Sequence, residues 1–309
     1  MKANGKTGFL AELKTDYKRR SAIYWMVLPI VAYYIIFEYI PMAGQVIVFQ
    51  NFRPARGFLN SHWVGLGNFF SFFRSIYASR VIRNTLLINF YQLIFGFPAP
   101  IILALIMNEL GSVKYKRVCQ TIQYMPHFIS AVVMCGIIVD FCSSRGFITS
   151  VVGWFGVEAT NLLTIPQYFR PIYVGSGIWK EVGWGSIIYL ATISTVDMNL
   201  YEAAAIDGAG RLRKIWHINL PALIPIIAIR LILNIGQMMS EGADKVILLY
   251  NPSIYETADI ISSYVYRVGL TEMNYSLAAA VGMFNSVVNF CLLYSANWFS
   301  RHFVKESFW

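Results

Sequence analysis

The sequence predicts an all-α, polytopic membrane protein with about six transmembrane helices. Hydrophobic residues make up 57% of the 309 residues and charged residues only 13%, which is far from the balance of a soluble globular domain. In addition, apolar stretches that are long enough to cross the hydrocarbon core at about 1.5 Å per residue recur along the chain. One polytopic domain in a lipid bilayer therefore fits better than soluble domains.

The first 21 residues predict a cytoplasmic amphipathic segment. Phe9, Leu10, Leu13 and Tyr17 recur at helical spacing with lysines between them, as in a short helix at the membrane interface. A cleaved signal peptide is not expected, because the apolar run that follows is much longer than the apolar core of such a peptide.

Six apolar runs predict the transmembrane domain, which extends over residues 22–300. Prolines inside these runs are tolerated where neighbouring helices satisfy the freed backbone groups, so kinked and packed spans are expected. Residues 301–309 are expected to form a cytoplasmic tail. The predicted spans are residues 22–49, 86–108, 119–141, 172–195, 222–240 and 277–299.

The distribution of basic residues predicts that both termini are cytoplasmic. With this orientation, fourteen Lys and Arg residues lie in inner segments and nine in the longer outer loops, which agrees with the preference of positive charge for the cytoplasmic side. Because the basic residues are dispersed among short loops, the net charge of +9 does not indicate a nucleic-acid-binding protein.

No catalytic site, metal site or cofactor is predicted. The four histidines are scattered, and no cluster of carboxylates or cysteines accompanies them. The four cysteines lie in or beside apolar segments and are interpreted as small apolar residues. An intramembrane enzyme is a weak alternative. A self-sufficient secondary transporter is another, since six spans without an evident inverted repeat leave little to build two opposing halves.

The stretch EAAAIDGAGRLRKIWHINLP, residues 202–221, is polar and glycine-containing although it separates two apolar runs. Asp197 is expected to cap a short helix through Glu202, and Gly208 and Gly210 then allow a turn with left-handed backbone. Residues 211–218 predict a second short helix, and the proline at the end suits the first turn of the next span. A helix, a turn and a helix are therefore expected on the cytoplasmic side.

The same stretch resembles the EAA loop of binding-protein-dependent ABC importer permeases. Glu-Ala-Ala is followed after two residues by Asp-Gly-Ala, and after five more by a hydrophobic residue and then Ile-x-Leu-Pro. Ile215 stands where the family usually has phenylalanine. The other matching positions are Glu202, Ala203, Ala204, Asp207, Gly208, Ala209, Ile218, Leu220 and Pro221.

This resemblance implies the MetI-like fold of type I ABC importer permeases and a transport subunit without catalysis of its own. It implies that residues 197–221 form a coupling loop, which docks in a groove of a separate ATPase subunit. The small alanines allow close approach, while Glu202 and Asp207 can pair with basic groups in such a groove. Closure of the ATPase pair would then draw the loops together and tilt the spans that follow.

Four further stretches resemble the carbohydrate branch of the family, in particular permeases for oligosaccharides and polysaccharide fragments. They are LPIVAYYIIFEYIPMAGQVIVFQNF, WVGLGNFFSFF, MPHFIS and LLYNPSIYETADIISSYVYRVGL. The implied partners are a second, related permease, two ATP-binding subunits and an extracellular lipid-anchored sugar-binding protein, at a bacterial plasma membrane. The last stretch falls in an outer loop, where it is expected to meet the binding protein or the substrate pathway. A permease for an amino acid, phosphate or metal is the alternative.

Polar residues inside the predicted spans are candidates for the substrate pathway. Spacings of four, three and four residues place Arg230, Asn234, Gln237 and Glu241 on one face of the fifth span. This face either borders the pathway, where Arg230 could also meet a carboxylated sugar, or forms a network between helices.

A second polar wall is conceivable on the fourth and sixth spans. Ser176, Lys180 and Trp184 share a face of the fourth span, and Asn285 and Asn289 share a face of the sixth. Sugar faces stack on aromatic rings such as Trp184, for which a packing or interfacial role is the alternative.

Overall fold

The structure is a computed structural model of the chain, and it describes residues 9–156, 160–239 and 242–303. The described residues are mostly helical, which confirms the predicted fold class, and the chain divides after Asn68 into two compact units. The α-helices are α1 (Phe9–Tyr34), α2 (Ile40–Ala43), α3 (Gly67–Arg74), α4 (Ile76–Tyr91), α5 (Pro98–Asn108), α6 (Val113–Tyr124), α7 (Ala131–Cys142), α8 (Phe147–Gly153), α9 (Pro166–Ser194), α10 (Met198–Ile206), α11 (Arg211–Lys214), α12 (Leu220–Gln237), α13 (Ala243–Leu249), α14 (Tyr255–Ala258), α15 (Ile261–Tyr266) and α16 (Tyr275–Phe303).

Wider and tighter helical turns join several of these helices. The π-helical turns are Ile35–Tyr39, Gln92–Gly96, Ile215–Asn219 and Arg267–Thr271, and the 3₁₀ turns are Gly44–Phe49, Met125–Phe128, Leu162–Thr164 and Pro252–Ile254.

The first unit consists of a long helical stretch and a small hairpin. The backbone of α1 leaves helical geometry at Arg20, with φ −128° and ψ 30°, between the N-terminal part of the helix and its apolar part. Strands β1 (Gln50–Asn51) and β2 (His62–Trp63) pair in antiparallel fashion directly after the helical stretch. The side-chain amide of Asn68 donates hydrogen bonds to the carbonyl oxygens of Val48 and Gln50, at 2.7 and 3.0 Å, and so holds the hairpin to the end of the helical stretch.

Five helical stretches in the described part of the chain are long and apolar enough to cross a membrane. They are Arg19–Phe49, Ile76–Asn108, Ala131–Gly153, Arg211–Gln237 and Tyr275–His302. The predicted fourth span lies in α9, whose 29 residues reach about 43 Å at the α-helical rise. Its glycines, aromatic residues and charged residues make α9 less apolar than the other five. The chain is a multi-pass membrane protein.

The predicted third span, residues 119–141, was wrong at its start. Helix α6 ends at Tyr124, and a 3₁₀ turn that contains Pro126 follows. Ile129 is extended, and Ser130 then caps α7 by accepting a hydrogen bond from the Val133 backbone amide at 3.3 Å. The membrane-spanning stretch therefore begins at Ala131, because proline interrupts the hydrogen bonding of the helix and the serine starts a new one.

Three of the π-helical turns end two residues before a proline, namely Pro41, Pro98 and Pro221. Proline has no N–H, and its ring collides with the carbonyl group four residues earlier in a regular α-helix. A wide turn at this place moves that carbonyl group aside, and the residue before each proline bonds five residues back instead, as Leu220 does to the Ile215 carbonyl oxygen. The helices thus continue through these prolines.

Three buried apolar clusters hold the second unit together. One lies around α7 and α9, with Met134, Phe169 and Tyr173 in it. A second joins α3, α4, α15 and α16, and a third joins α5, α9 and α12 around Tyr189 and Leu223. Helix α9 is common to two of the clusters and is therefore the central packing element of this unit.

Candidate functional site

The predicted coupling loop begins with a helix that is capped at both ends. Asp197 accepts a hydrogen bond from the Asn199 backbone amide at 3.0 Å and so caps the N-terminus of α10. At the other end, Gly208 has a φ of +71°. The amide of Gly208 bonds the Ala205 carbonyl oxygen at 3.1 Å, and that of Ala209 bonds Ala204 at 2.8 Å. This is a Schellman motif, in which glycine supplies the left-handed residue at little steric cost.

The second half of the loop differs from the prediction. Gly210 has a φ of −70° and a ψ of 171°, so only Gly208 needs left-handed backbone. The expected separate helix of residues 211–218 instead continues through the π-helical turn Ile215–Asn219 into α12. Pro221 therefore does not start the span, since the wide turn lets the helix pass through it. The loop and the fifth predicted span share one continuous helix, Arg211–Gln237.

The exposed side chains of the predicted loop are acidic and apolar in and directly after α10, and basic at Arg211 and Arg213. Glu202, Ala203 and Asp207 are exposed, as are the bulkier side chains of Ile206 at 87% and Trp216 at 64%. Ala204, Ala209, Ile215, Ile218 and Leu220 are half-buried, and Pro221 is exposed. An exposed surface that combines small, acidic and large apolar residues is suited to docking on another protein.

Two adjoining cavities open in the second unit. The first, which we call the arginine cavity, has a volume of about 460 Å³. Arg230, Asn234 and Gln237 of α12 line it together with Trp184 of α9, so the structure brings these four predicted residues together around one space. Glu241 lies outside the described residues. Within the described part of the chain, no carboxylate forms an ion pair with Arg230.

The second, which we call the lysine cavity, also measures about 460 Å³ and is lined by Lys180, Asp244 and Lys245. Gln92, Gly177 and Glu181 line both cavities, which therefore lie side by side. Their combined lining carries three cationic and two anionic side chains, so positive charge prevails.

Lys245 is held against α9 in the wall of the lysine cavity. Its Nζ donates a hydrogen bond to the Tyr173 carbonyl oxygen at 2.5 Å and lies 4.3 Å from the centre of the Tyr173 ring. Burial, followed by the nearby charge of Lys180, lowers the pKa of Lys245 to about 8, although Cys135 and Glu181 act in the opposite direction. Gly242 permits this contact, because a Cβ atom there would lie 2.2 Å from the Tyr173 hydroxyl oxygen.

The three residues that the sequence places on one face of α9 line three different cavities. Ser176 lines a separate apolar cavity, Lys180 lines the lysine cavity and Trp184 lines the arginine cavity. Steps of four residues advance about 40° beyond a full helical turn, so the three side chains diverge along α9.

The two asparagines of α16 do not line either cavity. The Asn285 side-chain amide donates to the Met239 carbonyl oxygen at 2.7 Å, and that of Asn289 donates to Gly236 at 2.5 Å. These bonds join α16 to the C-terminal end of α12.

The segment around Asp259 is fixed by a buried ionic cluster. Asp259 is fully buried and accepts hydrogen bonds from Arg80 at 3.1 Å and from Arg267 at 2.8 and 3.1 Å. Asn84 of α4 donates to the Glu256 and Asp259 carbonyl oxygens at 2.9 and 3.0 Å. The stretch that connects α13 and α16 is thereby clamped to α4.

Comparison with known proteins identifies the family. Residues 96–305 match the model of the binding-protein-dependent transport system inner membrane component, which is more than half of the chain. The chain belongs to this family of transport permeases. The matched range includes the whole predicted coupling loop and most of the lining of both cavities.

Relatives similar to this permease are found among curated proteins and solved structures. Protein LplB of Bacillus subtilis is 42% identical over 94% of this chain and 91% of its own length. The polygalacturonan/rhamnogalacturonan transport system permease protein YteP of the same species is 42% identical over 92% and 89%. A crystal structure of a bacterial ABC transporter involved in the import of the acidic polysaccharide alginate contains a chain with 43% identity and a TM-score of 0.87, covering 94% of this permease and 99% of that chain.

Sequence reasoning about the permease missed several residues of these surfaces. Gln92 is one of two amide side chains in the apolar run after Leu86, and that polarity was the available signal. Glu181 was passed over because it adjoins Lys180 and falls about 100° away on the helix. Ile206 and Trp216 are large apolar residues within the polar stretch of the predicted loop, and this contrast with their neighbours was the available signal.

Proposed function

We propose that this permease is the transmembrane subunit of an ATP-driven, binding-protein-dependent importer that moves oligosaccharides or polysaccharide fragments into a bacterial cell. ATP hydrolysis takes place in separate partner subunits. The observation that carries this proposal is the capped and exposed coupling loop, whose residue types match the EAA loop over twenty positions. Its continuity with α12 gives it a direct mechanical link to the arginine cavity.

The coupling loop docks on an ATP-binding subunit through α10. The exposed Ile206 side chain supplies the apolar anchor, small Ala203 allows close approach, and Glu202 and Asp207 pair with basic groups. When the ATPase pair closes, the loop moves with it. Because residues from Arg211 to Gln237 form one helical stretch, this movement is transmitted to Arg230, Asn234 and Gln237.

The remaining partners follow from this assembly. A second, related permease completes the translocation path, a second ATP-binding subunit completes the ATPase pair, and an extracellular lipid-anchored sugar-binding protein delivers the substrate. The name of one structurally similar complex includes an alginate pentasaccharide-bound periplasmic protein, which supports such a delivery step. The excess of Lys and Arg in the inner segments supports cytoplasmic termini.

The substrate is an oligosaccharide that carries carboxylate groups. Two of the similar proteins named above act on acidic polysaccharides according to their names, polygalacturonan/rhamnogalacturonan and alginate. The prevailing positive charge of the two cavities supports the same class, since Arg230, Lys180 and Lys245 can each meet a carboxylate group. Asn234 and Gln237 add hydrogen-bonding groups for sugar hydroxyls.

An uptake assay with the complete reconstituted transporter tests this function. Proteoliposomes that contain the two permeases and the ATPases receive the binding protein with labelled oligogalacturonate, alginate oligosaccharide or neutral arabino-oligosaccharide. We expect ATP-dependent uptake of one or both acidic sugars and a strong loss of this uptake in Arg230→Gln. Uptake of an amino acid or of phosphate in place of the sugars would overturn the proposal, while preferential uptake of the neutral sugar would overturn its acidic part.

A further inference from the structure

A histidine outside the residues discussed so far supports one side of Trp184. His127 lies in the 3₁₀ turn Met125–Phe128, and its ring stacks on the Trp184 indole at a centroid distance of 4.5 Å and an interplanar angle of 1°. Phe128 meets the same indole edge-on at 5.6 Å. His127 and Phe128 do not line the arginine cavity, whereas Trp184 does. Trp184 is thus the one member of this aromatic stack that lines the cavity.

The histidine is itself fixed by a carboxylate. His127 Nδ1 lies 2.9 Å from Glu181 Oε2, and because a carboxylate only accepts hydrogen bonds, Nδ1 carries the hydrogen. Glu181 is one turn before Trp184 on α9 and lines both cavities. Its bond to His127 directs part of its negative charge away from the space that a carboxylated sugar would occupy.

Two glycines on either side of Trp184 allow neighbouring elements to approach this part of α9. A Cβ atom on Gly183 would lie 2.0 Å from the Gln123 carbonyl oxygen near the end of α6. A Cβ atom on Gly185 would lie 3.0 Å from Pro100 of α5. The turn that contains His127 can therefore pack directly on α9. This packing fixes the position of His127 along α9, level with Trp184.

We propose that His127 is a positioning residue of the substrate pathway, which holds the Trp184 indole as a stacking surface for a sugar ring in the arginine cavity. This inference rests on the function proposed above. The C–H groups on the apolar face of a pyranose ring pack against the electron-rich face of an indole. A tryptophan that is 45% exposed needs support on its other face to keep one rotamer, and the stacked His127 gives that support.

A double-mutant cycle in the reconstituted importer tests this role. The variants are His127→Ala, Trp184→Ala and the two combined, with uptake measured over a range of sugar-loaded binding protein. We expect each single variant to lower uptake about fivefold to tenfold, the range of a lost aromatic contact. The double variant should be no worse than Trp184→Ala alone, because His127 acts through the indole. His127→Phe keeps an aromatic ring in the stack and should restore most of the uptake.

His302→Ala is the matched control. His302 stacks on Trp298 at a centroid distance of 5.0 Å near the end of α16, and neither residue lines either cavity. Removing this stack should leave uptake unchanged. A second readout is the fluorescence difference between wild type and Trp184→Phe, which isolates the Trp184 signal and should shift when the oligosaccharide is added to the solubilised complex.

The outcomes separate the two proposals. If wild type transports the oligosaccharide but His127→Ala does so equally well, or if the losses in the two single variants add in the double variant, the positioning role is wrong and the importer function stands. If wild type takes up no oligosaccharide with any binding protein, the proposed function itself fails. If His127→Ala does not assemble, His127→Phe decides in its place, and uptake by this variant as low as that of Trp184→Ala would contradict the stacking role.

Discussion

The Tyr201 hydroxyl group donates a hydrogen bond to the side-chain oxygen of Asn219. Tyr201 belongs to α10, and Asn219 is the fully buried last residue of the π-helical turn that leads into α12. The bond therefore joins the capped helix of the coupling loop to the stretch of wide helix that precedes Pro221. A π-helical turn is a common place for functional deformation. Movement of α10 can reach the fifth predicted span through this bond as well as along the backbone.

We expect Tyr201→Phe to weaken the link between ATP hydrolysis and uptake. The variant keeps the ring but leaves the buried Asn219 oxygen without its donor, which costs about 1 to 3 kcal/mol. The ratio of sugar transported to ATP hydrolysed should fall, and the complex should melt at a lower temperature. Tyr294→Phe is the control, since Tyr294 is exposed on α16. An unchanged ratio in Tyr201→Phe would show that the backbone alone carries the movement.

The two glycines of the coupling loop offer a matched pair of substitutions. Both are exposed, and a Cβ atom added at either would have no neighbouring atom within 4 Å, but only Gly208 has a positive φ. Gly208→Ser should strain the left-handed residue by about 1 to 2 kcal/mol, while Gly210→Ser places a favoured capping residue before α11. Co-purification of the ATP-binding subunit and stimulated ATPase activity should drop in the first variant only. Equal behaviour of the two variants would contradict a need for the Schellman turn.

The local chemistry of the coupling loop made it predictable from sequence. Asp197 and Gly208 act within a few residues of their own positions, so their roles as cap and turn follow from residue type. The continuation through Pro221 was not predictable in the same way. It depends on the wide turn Ile215–Asn219, and a proline by itself does not show whether a helix widens to pass through it or begins at it.

The cavities were predictable only in part. The spacing of Arg230, Asn234 and Gln237 placed them on one face of a helix, and one helix is enough for that argument. That they lie near Trp184 and Glu181 depends on how α9 packs against α12. The periodicity of a single helix does not predict this packing. Likewise, the partners of Asn285 and Asn289 are backbone groups of another helix, so their polarity alone could not distinguish a pathway residue from a helix tie.

The lowered pKa of Lys245 predicts a pH dependence of transport. With a pKa of about 8, Lys245 is mostly charged at pH 7 and loses its charge as the pH rises toward 9. Uptake of an acidic oligosaccharide should therefore weaken about fivefold over this range, as expected for one lost charge-assisted bond. Uptake by Lys245→Arg should stay constant, since arginine remains charged. A wild-type pH profile that matches that of Lys245→Arg would exclude Lys245 from the pathway.

Lys245 also affects the stability of the protein, and this effect increases with pH, whereas uptake is expected to decrease. The pKa of Lys245 is lower in the folded protein than its ordinary value of 10.5, so the unfolded chain binds more protons between about pH 8 and pH 10.5. The contribution of Lys245 to the free energy of unfolding therefore rises with pH across this window. Lys245→Met should abolish this rise, which can be measured by thermal unfolding of wild type and variant at pH 8 and pH 10.

The last prediction concerns Asp259, whose single carboxylate forms ion pairs with both Arg80 and Arg267. Asp259→Asn removes the negative charge and leaves Arg80 and Arg267, which are 27% and 19% exposed, in proximity without their counter-charge. We expect a loss of about 2 to 3 kcal/mol, somewhat below that of a wholly buried pair because water reaches both guanidinium groups. Melting of the solubilised complex measures this loss.

Glu256→Gln is the control for that substitution, since the Glu256 side chain is exposed and only its backbone carbonyl group bonds to Asn84. If the clamped segment receives the binding protein, Asp259→Asn should also reduce ATPase stimulation by the sugar-loaded binding protein, whereas Glu256→Gln should leave the melting temperature unchanged. Loss of stability with full stimulation would assign Asp259 to the fold alone. Loss of stimulation without loss of stability would instead indicate that its charge acts at the docking surface, which a fully buried carboxylate should not do.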